Sequence, residues 1–467
     1  MAVETDVVII GLGTGGEDLA LQLLDAGLDV VGIEPNLVGG ECAYSACIPS
    51  KMMIRAGNLL KEAHRVNDVA GRAEVTADWA PVAKRIREQA TGNWDDSVAV
   101  ARFQDRGGRF VRGRGTLTGP RMVNAGGEDY EARRGIVIAT GSRPVVPPIP
   151  GLSEVAYWTT HDAIQTDPLP ESLMILGGGA VGCELGQVFS RFGVDVTIVE
   201  GGDRILSREE PETSEIVAAV LKNEGVTVIT GVRVEKVSGQ GDQIEVIGAD
   251  GAHHFAEKLL VATGRSVDLS ELGLETAGLD SSSRFIAIDD RCRAAEGIWA
   301  MGDVTGKAMF THTAVYQSAI VAADIQNKEP PGADYETLPR VTFTDPEVGS
   351  VGLTEATARD RGVDVDVVVK TLPASFRGWL HGPGNDGMIK LVIDRADDVL
   401  VGATSVGPHG GEVLGLLTVA MHERVPLERL RHMIYPYPTF HGAIGEALGA
   451  YGRGIGTVID PGFQPLG

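Results

Sequence analysis

One structural unit is written twice in this chain. DVVIIGLGTGGEDLALQLLDAGLDVVGIE runs strand, glycine turn, amphipathic helix, strand and a closing acid, and SLMILGGGAVGCELGQVFSRFGVDVTIVE repeats that order. Gly11 and Gly177, Gly16 and Gly182, and Glu34 and Glu200 all stand 166 positions apart. Few folds accommodate this pattern. The first glycine of each G-x-G-x-x-G makes a tight turn, the second lets backbone approach a pyrophosphate, and the third lets the helix pack on the sheet. The helix start then offers unpaired N–H groups to phosphate, and the acid accepts hydrogen bonds from ribose hydroxyls. The expected fold class is α/β with two Rossmann-like dinucleotide-binding domains. Two such sites on one chain suggest FAD plus a nicotinamide cofactor, with electrons passing between them.

The length of 467 residues allows two to four domains. A formal charge of −23 disfavours nucleic acid and anionic membrane as partners, since both require basic patches. No apolar run approaches the roughly 20 residues of a membrane span, and MAVETDVVIIGLG lacks a basic leader and cleavage site. The expected location is therefore cytoplasmic, where a purely structural disulfide is disfavoured.

Against that background GGECAYSACIPSK is informative, because it holds two of the chain's four cysteines. Cys42 and Cys47 are five apart. In an undistorted helix that spacing separates Cα atoms by about 8.6 Å, whereas a disulfide wants less than about 7 Å. Bridging therefore requires the first cysteine to sit outside regular helix, which the preceding glycines permit. Pro49 also removes a backbone donor there. A metal site is disfavoured: Cys183 and Cys292 form no second C-x2-C, and no histidine cluster lies nearby. Redox work and two idle thiols remain as readings.

The order of motifs resembles the FAD-dependent pyridine nucleotide–disulfide oxidoreductases, the group of lipoamide dehydrogenase, glutathione reductase and mercuric reductase. GGECAYSACIPSK is similar to that family's G-G-x-C-x4-C-x-P-[ST]-K. IVIATGSRP and LLVATGRSV resemble its two A-T-G segments, GIWAMGDVTG its flavin-closing G-D segment, and FTDPEVGSVGLTE the opening of its dimerisation domain. The resemblance implies that Gly11, Gly13, Gly16, Glu34, Gly40, Lys51, Gly115, Thr140, Gly141, Gly302 and Asp303 touch FAD, with Asp303 on the ribityl chain. It implies that Gly177, Gly179, Gly182, Glu200 and Gly264 serve the nicotinamide dinucleotide, and that Lys51 pairs with Glu184 beside the flavin ring. The helix starting near THTAVYQ is expected to aim its positive end at the flavin. Cys47 becomes the flavin-side thiolate and Cys42 the interchange thiol. Glu200 favours NADH, since a carboxylate repels a 2′-phosphate, while Arg204 and Arg208 close behind leave NADP possible.

One motif departs from the family. Its disulfide reductases carry H-P-T-x-x-E on the partner subunit as acid–base and orienting groups. Here MIYPYPTFHGAIGEALG places Tyr437 where the histidine belongs and Gly442 where the glutamate belongs. His441 and Glu446 keep the spacing of five but lie four positions late, about 400° and 6 Å along a helix. An unperturbed tyrosine, with a pKa near about 10, is a poor proton shuttle at neutral pH. Tyrosine here resembles mercuric reductase and the transhydrogenase and quinone-reducing members, yet IDPGFQPLG holds no cysteine pair of the mercuric reductase kind.

The motifs divide the chain into a first FAD-binding part (1–147), an NAD(P)-binding domain (148–265), a central segment completing the FAD site (266–336) and an α+β interface or dimerisation domain (337–467). NKEPPGADYETLP forms the proline-rich joint. The expected assembly is a homodimer with a shared site. Three functions follow in order of preference. The first passes hydride from NADH through FAD to a Cys42–Cys47 disulfide and on to a disulfide or thiol-reactive substrate. The second reduces quinones, dyes or a second nicotinamide directly from flavin. The third is a flavin-bound assembly or sensor subunit.

Overall fold

The computed structural model describes residues 1–329 and 331–452, together with the backbone of the short strand Val458–Ile459. Most of the tail IDPGFQPLG, singled out above for its lack of cysteines, lies outside the described residues.

The first sheet is built around Val3–Ile10. It pairs in parallel with Val30–Glu34 on one side and with Glu128–Ile138 on the other. Arg109–Arg112 extends the first side; Ile298–Ala300 and Arg293–Ala295 extend the second. Val7, Val8 and Ile9 are fully buried in succession, the signature of a parallel strand covered on both faces. Helices Thr14–Asp25 and Thr311–Ile325 pack together on one face, burying Leu19, Leu23, Ile320 and Val321 in a common core.

The second copy builds a four-stranded parallel sheet. Ser172–Leu176 is flanked by Asp195–Val199 and Lys258–Val261, with Thr227–Ile229 at the edge. In both sheets the glycine turn follows a strand flanked on one side by the next parallel strand and on the other by a strand returning from much later in the chain. Such switch points open a crevice at the carboxyl ends of the strands, where nucleotides bind in open α/β sheets. The chain crosses between the sheets twice, and the crossings pair as an antiparallel ribbon, Arg143–Pro144 with Arg265–Ser266.

The last sheet has the order Pro339–Thr342, Glu347–Gly352, Val399–Gly407, Met388–Asp394, Val365–Thr371, Val458–Ile459. Helices Gly410–His422 and Gly442–Tyr451 cover it through Leu414, Leu417, Ala443, Ala447 and Leu448. Ionic clusters fasten this layer to the second sheet's helices. Lys390, 2% exposed, meets Glu210 at 3.0 Å, Glu212 at 2.8 Å and Glu355 at 3.2 Å. Arg340 grips Glu209 through two bonds, and Arg191 bridges Glu224 and Asp345. Among the described residues no helix is long and apolar enough to cross a membrane.

Candidate active site

The two glycine turns have the same internal bonding. Glu34 accepts from the Leu12 and Asn36 amides at 2.9 and 2.8 Å; Glu200 accepts from the Gly178 and Gly202 amides at 2.6 and 2.7 Å. Each acid thus ties its strand end to the turn that faces it. Burial raises the Glu34 carboxyl above its ordinary pKa, and the two amides oppose that rise. A Cβ at Gly16 would run into the Gly11 carbonyl, and one at Gly182 into that of Gly177.

The residues present fit two dinucleotides. Gly13 and Gly179 open onto free space, and neither following helix carries a side-chain cap, so their first-turn N–H groups remain available to phosphate. Gly40, at φ +68°, faces Gly13 across the first turn, where a Cβ would lie 2.8 Å from the Gly13 Cα. Gly115 packs against Ile10 and Ile33. Thr140 and Gly141 follow the strand Glu128–Ile138, with Gly141 at φ +70° and open. Gly302 donates to Gln317 Oε1 at 2.6 Å. Asp303 accepts from Ser142 Oγ and lies 3.7 Å from Arg265, while its burial raises the carboxyl pKa. Gly264, at φ +125°, is held by its carbonyl to Val145 N at 2.9 Å in the crossing ribbon.

The cysteine stretch is divided between two helices. Cys42 sits in a short helix, Gly40–Tyr44, and Cys47 opens a separate helix, Cys47–Val69. Ser45 and the non-helical Ala46 (φ −138°, ψ −100°) break the chain between them, so the separation of one continuous helix does not apply. Both cysteines are free thiols and partly buried. The Cys47 thiol is lowered to about 6, first by the hydrogen bond from Cys42, with help from Thr311 and the charge of Lys51, against opposing burial. Cys42 shifts upward, because its proton is held toward Cys47 and burial adds to the cost of ionising it. Thr311 Oγ1 lies 3.5 Å from Cys47 Sγ at the start of Thr311–Ile325, whose N-terminus also lacks a side-chain cap.

Lys51 Nζ lies 2.8 Å from Glu184 Oε2 and 4.7 Å from the centre of the Phe343 ring. Glu184 is buried, and its other oxygen accepts from Phe343 N at 2.7 Å. Arg204 is committed to its own loop, donating to the Ser207 and Glu209 carbonyls at 2.9 and 3.2 Å.

Tyr437, His441 and Glu446 lie in the last layer. Tyr437 is 74% exposed, precedes a cis proline and meets the Phe376 ring edge-on at 5.4 Å. His441 stands at the N-cap of Gly442–Tyr451. Glu446 pairs with Lys370 at 3.3 Å and accepts from Phe376 N at 3.4 Å. Among the described residues no hydrogen bond joins Glu446 to His441, or any of the three to the cysteine turn.

Sequence reasoning passed over Glu41, Ser45, Ser142, His161, Arg265 and Phe343. Glu41 and Arg265 lie inside motifs already recognised, so their positions were flagged without their pairing. Phe343 opens the recognised segment FTDPEVGSVGLTE, whereas His161 reaches the site from far along the chain and carries no local signal.

The protein-family model described as pyridine nucleotide-disulphide oxidoreductase matches residues 5–318, and the model for that family's dimerisation domain matches 338–448. Dihydrolipoyl dehydrogenase of Bacillus subtilis is 31% identical, covering 97% of this chain and 100% of that protein. Mercuric reductase of Bacillus cereus is 32% identical, covering 96% of this chain and 72% of that protein. The solved structure of RclA, an HOCl-induced flavoprotein disulfide reductase from Escherichia coli, superposes with a TM-score of 0.84 at 27% identity, covering 95% of this chain and 99% of that one. With two nucleotide crevices, a cysteine pair between them and a dimerisation layer, the chain belongs to the pyridine nucleotide-disulphide oxidoreductases, FAD-dependent enzymes that work through NAD(P)H and a redox-active disulfide and pair as homodimers.

Proposed function

We propose that this enzyme uses NADH, in the cytoplasm, to reduce a small disulfide or similarly thiol-reactive compound through Cys42 and Cys47. The observation that carries the reading is the unequal thiol pair: Cys47 at a helix start with a lowered pKa, and Cys42 keeping its proton beside it. Bound FAD would supply a two-electron carrier between the nicotinamide and the disulfide. The glycine turns would hold the two dinucleotides, Lys51 and Glu184 would border the flavin ring, and Thr311 with Lys51 stabilises the Cys47 thiolate.

In the reductive half, the Cys42–Cys47 bond accepts two electrons and breaks, giving the Cys42 thiol and the Cys47 thiolate. In the oxidative half, Cys42 loses its proton and attacks one sulfur of the substrate, expelling the other as thiolate. Cys47 then attacks Cys42 in the mixed disulfide, restoring the internal bond and releasing the second thiolate. One NADH and one proton are consumed per disulfide, and two thiols leave. We assign the proton transfers to one of two groups of the dimerisation layer, Tyr437 or His441, acting across the dimer.

The test is an anaerobic addition of NADH to the purified yellow protein. A long-wavelength band arising while the flavin stays largely oxidised supports the reading, because it requires the Cys47 thiolate. Direct bleaching without that band overturns it. A second reading, reduction of quinones or dyes from the flavin alone, is favoured by tyrosine standing at 437; a Cys42→Ser variant that keeps full turnover would establish it.

A further inference from the structure

The turn that carries Cys42 is too short to hold itself. Gly40–Tyr44 spans five residues, and isolated helices shorter than about 12 residues are marginal in water. Both flanking joints are irregular: Gly39 and Gly40 have φ of +103° and +68°, and Ala46 leaves the helical region. The position of the Cys42 thiol therefore depends on what grips the turn from outside.

Two grips come from the nucleotide-binding unit. His161 Nε2 lies 3.0 Å from Ser45 Oγ and 3.0 Å from Glu41 Oε1, so one ring nitrogen spans both ends of the turn. Because both contacts use the same nitrogen, the imidazole bridges these groups and does not relay a proton between them. Arg265 donates to Glu41 Oε2 from the other side, and to Ser142 Oγ at 2.7 Å and Ser142 O at 2.8 Å. Charge from Arg265 and the bond to His161 lower the Glu41 carboxyl against its burial, so it is ionised at neutral pH.

Both gripping residues belong to the second nucleotide-binding unit. Arg265 belongs to the crossing ribbon. His161 sits in the helix Thr160–Gln165, whose N-cap Thr159 follows Trp158, and Trp158 bridges to Leu260 of the second sheet. We propose that Glu41 and His161 are positioning residues: they tether the Cys42 turn to the nucleotide-binding unit, so that this unit sets how far the Cys42 thiol is presented to an acceptor. This rests on Cys42 being the interchange thiol.

The experiment measures alkylation of each cysteine by iodoacetamide in the FAD-loaded dimer, reduced with dithiothreitol so that no electron need come from NADH. Peptide mapping gives separate rates for Cys42 and Cys47, with and without NAD⁺. Glu41→Gln and His161→Phe should each change the Cys42 rate by about three- to tenfold, the worth of one hydrogen bond. The Cys47 rate and the melting temperature should hold, and Glu41→Asp should restore the Cys42 rate in part. NAD⁺ should shift the Cys42 rate in the unaltered protein and not in Glu41→Gln. Ser45→Ala, which removes one bond and no charge, repeats the test if either variant is unstable. Equal Cys42 rates in all these proteins, or equal changes at both cysteines, overturn the proposal. The NADH titration above judges the disulfide reading separately, so the two can fail independently.

Discussion

Lys51 and Glu184 come from helices 133 residues apart in sequence and meet at 2.8 Å between the first nucleotide unit and the second. The pair is lopsided: the Glu184 side chain is 6% exposed and that of Lys51 35%. The carboxylate has the Phe343 amide as its other partner. Lys51 is thus needed both to neutralise a buried charge and to place a positive charge near Cys47.

Replacing that lysine should therefore show twice. Lys51→Met leaves Glu184 with one neutral donor, at a cost of about 1–3 kcal/mol, read from the urea midpoint of the FAD-loaded protein. It should also raise the Cys47 pKa, since the Lys51 charge is among the groups that lower it. Glu184→Gln keeps an acceptor for Phe343 N and should cost less stability.

The pH dependence of the reduced enzyme follows from Cys47. A thiol lowered to about 6 is thiolate above that value and thiol below it. The long-wavelength band of the two-electron-reduced protein should be complete at neutral pH and fall to half near pH 6. In Cys42→Ala the hydrogen bond that lowers the Cys47 pKa most is gone, so the midpoint should move upward toward that of an ordinary thiol. A band independent of pH between 5 and 8 would contradict this assignment.

Nucleotide choice should hinge on Glu200. Its carboxylate braces Gly178 and Gly202, and Arg204 is bound to the Ser207 and Glu209 carbonyls, away from any rescue role. The unaltered enzyme should prefer NADH in kcat/KM. Glu200→Ser should narrow the ratio of NADH to NADPH by about tenfold or more, as expected for removing one charged contact at a specificity position.

The Lys390 cluster offers a stability test away from the chemistry. Lys390→Met strands Glu210, Glu212 and Glu355 around an apolar side chain. Breaking a buried pair in this way costs about 3–5 kcal/mol. The loss should appear as an earlier thermal transition with unchanged nucleotide preference.

Sequence by itself determined the two nucleotide units, because their signals are local. Strand, turn, helix and acid all fall within one stretch of chain, and the carboxylate-to-turn bonds of Glu34 and Glu200 recur at the same offset as the glycines. The cysteine pair was legible for the same reason. What sequence could not determine is how the pair is held. The break at Ser45 and Ala46 follows no periodicity, and it is fixed by groups brought from residues 161 and 265. Likewise Glu184 finds its second partner, the Phe343 amide, 159 residues away. Such contacts form only once the two sheets and the last layer have packed, since backbone donors and long side chains carry no sequence mark of the partner they will meet. The chemistry was written locally, and its geometry was decided by the tertiary structure.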